Sequence, residues 1–202
     1  VMSLNGKDER RENGAIRICG PEDVALLHRM SVETYVDTFE GTSSEEDMDK
    51  FLEESYSEPV LRGELSNPDS VFLLISVQPD SGFEEHADSD SSNSANTDEI
   101  PAGYMKLNFG KAQVEDMGAG TMEIQRLYIG KRFKGLGLGT QLMNFALDVA
   151  RKRGLHKVWL GVWEHNEPAK RFYSGKGFVR VGQHAFWQGD DKQTDYLLAR
   201  EV

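Results

Sequence analysis

The stretch Arg132-Phe133-Lys134-Gly135-Leu136-Gly137-Leu138-Gly139-Thr140 sets three alternating glycines between a strand-like run, Thr121 to Gly130, and an amphipathic run, Leu138 to Arg153. Closely spaced glycines let backbone N–H groups converge on one concavity, and a following helix adds the positive end of its dipole. A phosphate or pyrophosphate is the natural occupant. Lys131, Arg132 and Lys134 raise the local potential further. The competing reading is a plain tight turn before a helix; the three basic residues beside the glycines favour an anion site. Spacing then excludes two other phosphate loops. A Walker loop needs GxxxxGK[ST], which no glycine here begins. A dinucleotide fingerprint needs GxGxxG, but its third glycine would fall on Thr140 or Leu142.

Working outward, Leu138, Leu142, Ala146, Val149 and Ala150 form one apolar stripe, and Lys152-Arg153-Gly154 is a helix stop. Lys157–Trp163 reads as a strand, Pro168–Lys176 as a helix, and Phe178–Gln188 and Gln193–Arg200 as two closing strands. Upstream, Pro101–Gly110 and Thr121–Gly130 read as antiparallel neighbours, and Ser70–Val77 as a buried strand. Before them come a short strand at Ala15–Gly20, a helix over Pro21–Glu40, and a second helix opened by a capping box, Ser43 to Glu46. The order predicts an α/β mixture around a mixed sheet.

The 202 residues fit one domain, expected over 15–202 behind a flexible leader at 1–14. From 79 to 100 the chain has seven acidic residues and no Lys or Arg, which predicts a disordered acidic insert rather than a domain boundary. The net charge of −11 argues against nucleic acid or an anionic membrane as a partner. Yet residues 131–180 hold eleven Lys/Arg against three Asp/Glu, so the basic charge gathers around the glycine loop. One cysteine, Cys19, cannot form an internal disulfide, and no Cys/His spacing suggests a metal. A cytoplasmic location is expected, since nothing reads as a signal peptide or a membrane span.

Lys134-Gly-Leu-Gly137-Leu-Gly139 is similar to the pyrophosphate loop of the GCN5-related N-acetyltransferases, with Lys134 where Arg or Gln is usual. Asn166-Glu-Pro-Ala169 and Phe172-Tyr173-Ser-Gly-Lys-Gly177-Phe178 resemble a second segment of that superfamily. Ser31-Val-Glu-Thr34, Asp37-Thr-Phe39, Trp159–Glu167 and Gly189–Asp195 resemble PaiA-type spermidine/spermine N-acetyltransferases, from which the acidic insert departs.

The resemblance implies the superfamily's α/β (α+β) fold: a mixed, mostly antiparallel sheet of six to seven strands flanked by helices. It implies acetyl-CoA as donor, with no metal, and direct attack by an amine in a ternary complex. Leu127, Tyr128 and Ile129 would hold pantetheine, the N–H of Leu127 facing the acetyl carbonyl. Lys134, Gly135, Leu136, Gly137, Leu138, Gly139 and Thr140 would hold the pyrophosphate. Asn166 would contact pantetheine or cap a helix, or both. Glu123 is the expected general base, with Gln125 on its face if the strand carries no bulge. Tyr173 is the expected acid for the departing thiolate, and Phe172 is expected in the core. Glu33, Asp37, Glu40, Asp190 and Asp191 are candidate acceptor carboxylates, their acidity suiting a polycationic amine. The five histidines (His28, His86, His156, His165, His184) show no metal spacing and are expected to be structural or at the surface. Trp159, Trp163 and Trp187 are expected in the core or in an acceptor wall.

The expected partner is therefore a small-molecule amine acceptor, polyamines first, and a homodimer is left open. Alternatives are acetylation of a protein lysine, an N-terminus or an amine-bearing xenobiotic. A catalytically silent acyl-CoA sensor or a nucleotide-binding oxidoreductase would belong to other classes.

Overall fold

The computed structural model describes residues 14–78, 99–188 and 190–202. The leader but for Gly14, and all of the acidic insert but its last two residues, lie outside the described residues; Gly14 is buried, and Ile100, expected in the insert, is buried at the start of a strand. Seven strands form one sheet: β1 (Ala15–Ile18), β2 (Ser70–Val77), β3 (Ile100–Phe109), β4 (Thr121–Ile129), β5 (Lys157–Trp163), β6 (Val179–Gln188) and β7 (Asp191–Glu201). Their spatial order is β1-β2-β3-β4-β5-β7-β6. Every pairing is antiparallel except β4 with β5. The expected mixed, mostly antiparallel sheet is met.

Among the described residues five α-helices cover its two faces: α1 (Val24–Phe39), α2 (Glu45–Tyr56), α3 (Glu58–Leu65), α4 (Leu138–Lys152) and α5 (Glu167–Gly175). On one face α4 buries Leu138, Leu142, Met143, Ala146, Leu147 and Ala150 among Leu73, Met105, Ile124 and Leu160. Burying a stripe of this size is the main source of that helix's stability, at roughly 25 cal/mol per Å² of apolar area removed from water. On the other face α1, α2 and α3 pack Leu27, Tyr35, Phe39, Tyr56 and Leu61 against Phe72, Leu74 and Tyr104.

Two local expectations shift. The second helix is capped by Ser44, whose Oγ accepts from the Asp47 N–H, not by Ser43 with Glu46. Helix α3 was absent from the sequence reading. It has a single buried apolar residue, Leu61, and begins on Ser57-Glu58-Pro59, a start signal too short to stand out.

The feature that positions the site is the short β4–β5 ladder. The two strands pair only at Thr121–Lys157, Met122–Val158 and Glu123–Trp159. Opposite β4, the register against β3 passes from Lys106–Arg126 to Leu107–Ile124, so Gln125 is an extra, bulged residue. A bulge bends its strand and increases its twist. Beyond Glu123 the two strands part, leaving a wedge in the middle of the sheet.

Candidate active site

The wedge opens into a cleft of about 1170 Å³ that runs through the sheet. Its walls come from β4, β5, the β6–β7 hairpin, α1, α2, α5 and the glycine loop. On the α4–α5 side, the cleft is bordered by Lys134, Gly135, Gly137, Gly139, Thr140, Asn166, Phe172 and Tyr173. Gly137 is the N-cap of α4 with φ +81°, a left-handed conformation that a side chain strains. No side chain caps α4, so its first-turn N–H groups face the loop's concavity with the helix dipole behind them. Such a geometry suits an anion, the occupant expected of this loop. Leu138 turns its side chain into the core, and Leu136 packs on the same cluster, leaving only their backbone to the loop.

The N–H of Gly130 donates to the Ala102 carbonyl at 2.9 Å. In an antiparallel ladder bonding pairs alternate, so Tyr128 and Arg126 turn their backbone groups toward β3, while Leu127 and Ile129 turn theirs toward the wedge. Asn166 caps α5, its Oδ1 accepting from the Ala169 N–H at 3.1 Å, and also borders the cleft. Tyr173 is 9% exposed, and burial pushes its phenol well above the ordinary tyrosine range. Phe172, expected in the core, is half-buried and lines the cleft beside it.

Glu123 sits at the apex, 2% exposed. Its Oε2 accepts from Asn108 Nδ2 at 2.9 Å and from the Val114 N–H at 3.1 Å. Burial raises its carboxyl above the usual range, while Asn108, Val114, Lys106 and His184 pull the other way. The Ser70 hydroxyl donates to Asn108 Oδ1 at 2.9 Å and thereby turns the Asn108 amide toward Glu123 and Gln125. Gln125 does reach Glu123's face, but through the bulge rather than by simple alternation.

On the α1–α3 side, the cleft meets Tyr35, Phe39, Tyr56, Tyr128, Trp163 and Trp187, together with Asp37 and Asp195. Phe39 and Trp163 meet edge to face at 5.5 Å. Trp159 is instead wholly buried and donates to Gln113 Oε1 at 2.7 Å. Of the other candidate carboxylates, Glu33 and Glu40 are exposed on or beside α1, away from the cleft. Asp190 is drawn to α2, paired with Lys50 at 2.8 Å and with its N–H on Asp47. Asp191 accepts from the Gln193 side chain. Asp190, at the β6–β7 turn, thus docks on α2, and neither it nor Asp191 lines the cleft.

The sequence reading missed Asp195 and His184. His184 Nδ1 lies 2.7 Å from Glu115 Oε1 and its Nε2 is 3.7 Å from Asp195 Oδ2. Asp195 above all, then Glu115, raises the imidazole to about 9, so it is charged at neutral pH. Only the acid-rich composition around 115 and 190–195 hinted at this; the pairing needs the fold. His28 bonds the Tyr56 carbonyl and His165 is exposed at the cleft rim, while His86 lies outside the described residues. Cys19 is buried, and desolvation holds its thiol up near 12, which removes it as a nucleophile.

Residues 34–178 match the model of the acetyltransferase (GNAT) family. A protein of Lactobacillus delbrueckii subsp. lactis, described as an uncharacterized N-acetyltransferase in the pepI 3′ region, is 41% identical over 182 residues, 90% of this chain and 91% of its own. The streptothricin acetyltransferase of Streptomyces lavendulae is 28% identical over 134 residues, 62% of this chain and 68% of that protein. Among solved structures, the PaiA N-acetyltransferase of Thermoplasma acidophilum in complex with coenzyme A superposes with a TM-score of 0.68 at 23% identity, over 95% of this chain and 100% of that one. With the wedge, the glycine loop and these matches in place, the chain belongs to the GCN5-related N-acetyltransferases and is an acetyl-CoA-dependent acetyltransferase.

Proposed function

We propose that the protein transfers the acetyl group of acetyl-CoA to a primary amine of a small cationic, polyamine-like acceptor by direct attack within a ternary complex in the cytoplasm. The observation that carries this reading is Glu123, a buried carboxylate with a raised pKa at the apex of a wedge with an anion cradle on one side and an acidic, aromatic mouth on the other.

The cradle of Lys134, Gly135, Leu136, Gly137, Leu138, Gly139 and Thr140 suits a pyrophosphate. Leu127, Ile129 and Asn166 border the path along which a pantetheine arm would pair with the open edge of β4, while Tyr128, its backbone turned to β3, lines the opposite side of the cleft. The outward N–H of Leu127 is placed to meet an oxyanion. Glu123 takes the proton of the acceptor ammonium, directly or through a water held by Gln125. Tyr173, kept neutral by burial, gives a proton or hydrogen bond to the departing thiolate.

For the acceptor, Tyr35, Phe39, Trp163 and Trp187 offer ring faces and edges to a cation, and Asp37 and Asp195 offer charge. Glu33, Asp190 and Asp191 are not among the residues that line this mouth. A second reading, an amine-bearing xenobiotic, is favoured by the likeness to a streptothricin acetyltransferase. A thiol-release assay with acetyl-CoA against spermidine, spermine, streptothricin and a lysine-bearing peptide separates the two. Highest kcat/KM with a polyamine supports the first reading; highest kcat/KM with streptothricin supports the second.

A further inference from the structure

The connection from Gly110 to Gly120 lies across the apex of the wedge and supplies one of Glu123's two hydrogen-bond donors, the Val114 N–H. Packing does little to hold that residue, since the Val114 side chain is 51% exposed. Met117 packs on Trp159, Leu197 and Ala199, and polar contacts hold the rest of the connection. Gln113 Oε1 accepts from Trp159 Nε1 at 2.7 Å and from Thr121 Oγ1 at 3.1 Å, and Glu115 meets His184 Nδ1 at 2.7 Å. His184 is in turn fixed by its cross-strand partner on β7, Asp195. The space for this pair exists because residue 161 on β5 is glycine: a Cβ there would come within 3.2 Å of Asp195 Oδ2 and 3.7 Å of His184 Nε2.

We propose that His184 is a positioning residue for Glu123: held between Glu115 and Asp195, its imidazole pins the 110–120 connection so that the Val114 N–H stays on the Glu123 carboxylate. This rests on the reading of Glu123 as the base, but its direct readouts do not require turnover. The groups facing Glu123 are Asn108 and Lys106 from β3, the Val114 N–H from the connection, and His184 from β6. Lys106 is itself bound to Glu64. The groups facing His184 are Glu115 and Asp195.

Replacing His184 by a neutral residue removes a nearby positive charge and frees the donor. Both changes disfavour the ionised carboxylate, so they move the Glu123 pKa in the same direction, upward. The test is a carbon-13 NMR titration of the Glu123 carboxyl, assigned by its loss in Glu123→Gln, together with hydrogen exchange of the Val114 amide. His184→Gln should raise the Glu123 midpoint by about one pH unit and speed Val114 exchange about tenfold or more. Glu115→Ala, a change at a 40%-exposed side chain, should speed Val114 exchange to a similar extent. With a working acceptor, the acid limb of kcat/KM in His184→Gln should move up with the carboxyl midpoint, while acetyl-CoA affinity is unchanged. An unchanged Glu123 midpoint in folded His184→Gln, or Val114 exchange as slow as in wild type in both variants, overturns the proposal. Full activity of Glu123→Gln would overturn the base reading instead, and leaves the NMR outcomes to judge the clasp.

Discussion

Arg126 on β4 and Glu64 on α3 form a bidentate pair, with guanidinium nitrogens 2.7 and 3.0 Å from the two carboxylate oxygens. The same carboxylate accepts from Lys106 at 2.5 Å, and both cations are nearly fully buried, over the rings of Tyr56 and Phe72. One carboxylate is therefore shared by two buried basic groups on the acceptor side of the cleft, and burial together with Arg126 pulls the Lys106 pKa below the usual lysine range. This contact and the buried Leu61 together tie α3 to the sheet.

Removing that anion is costly because it leaves the guanidinium of Arg126, which cannot shed its proton, uncompensated out of water. Glu64→Ala should destabilise the fold by about 3–5 kcal/mol. Chemical denaturation at neutral pH would reveal it. A loss under about 1 kcal/mol would mean that the cations find water or another partner once Glu64 is gone.

Gly137→Asp adds a side chain where φ is +81° and brings a negative charge to the mouth of the cradle. Acetyl-CoA affinity should fall at least about a hundredfold, by analogy with charge-pair losses at desolvated sites. Gly137→Ala, which adds the strain without the charge, should lose less. Calorimetry on folded variants checks both, and wild-type affinity in the aspartate variant would remove the loop from the donor site.

Burial holds the Tyr173 phenol neutral across any practical assay range. Tyr173→Phe should therefore cost roughly 10- to 100-fold in kcat, by a factor that stays constant between pH 7 and pH 10. A phenol at its ordinary pKa near 10 would already be lost in the wild type at the upper end, and the deficit would shrink there. Such narrowing would show that Tyr173 is exposed to solvent in the working enzyme.

His184 gives a stability profile with a definite sign. Its folded pKa, about 9, lies above the unfolded value near 6.5, so its contribution is complete below pH 6.5 and is lost as pH rises toward 9. On the order of 1–3 kcal/mol should disappear across that window. His184→Gln should flatten this part of the profile, as followed by melting temperature at half-unit pH steps.

The glycine loop and, apart from helix α3, the order of strands and helices from Ala15 onward were readable because their signals are local: glycine spacing, hydrophobic period and short motifs. What escaped depends on distance along the chain. Helix α3 is secured by Glu64 contacts that span 42 and 62 positions, and the bond between Glu115 and His184 spans 69. No window of sequence shows such pairs. The bulge at Gln125 is equally invisible, because it is a mismatch between two strands rather than a property of either. The acceptor carboxylates illustrate the same limit. Asp190 and Asp191 have suitable chemistry, but Asp190 is bound to α2 and Asp191 to Gln193, while Asp195, a few residues on, lines the cleft.

The most direct test of the account is the kcat/KM of Glu123→Gln, measured across pH with acetyl-CoA and the best acceptor from the panel. Glutamine nearly matches the shape of glutamate but accepts no proton at neutral pH. The account predicts a fall of about a hundredfold or more near pH 7, partial recovery at high pH where the amine arrives deprotonated, and unchanged acetyl-CoA affinity. Wild-type rates at every pH would contradict it and would leave the wedge without its base.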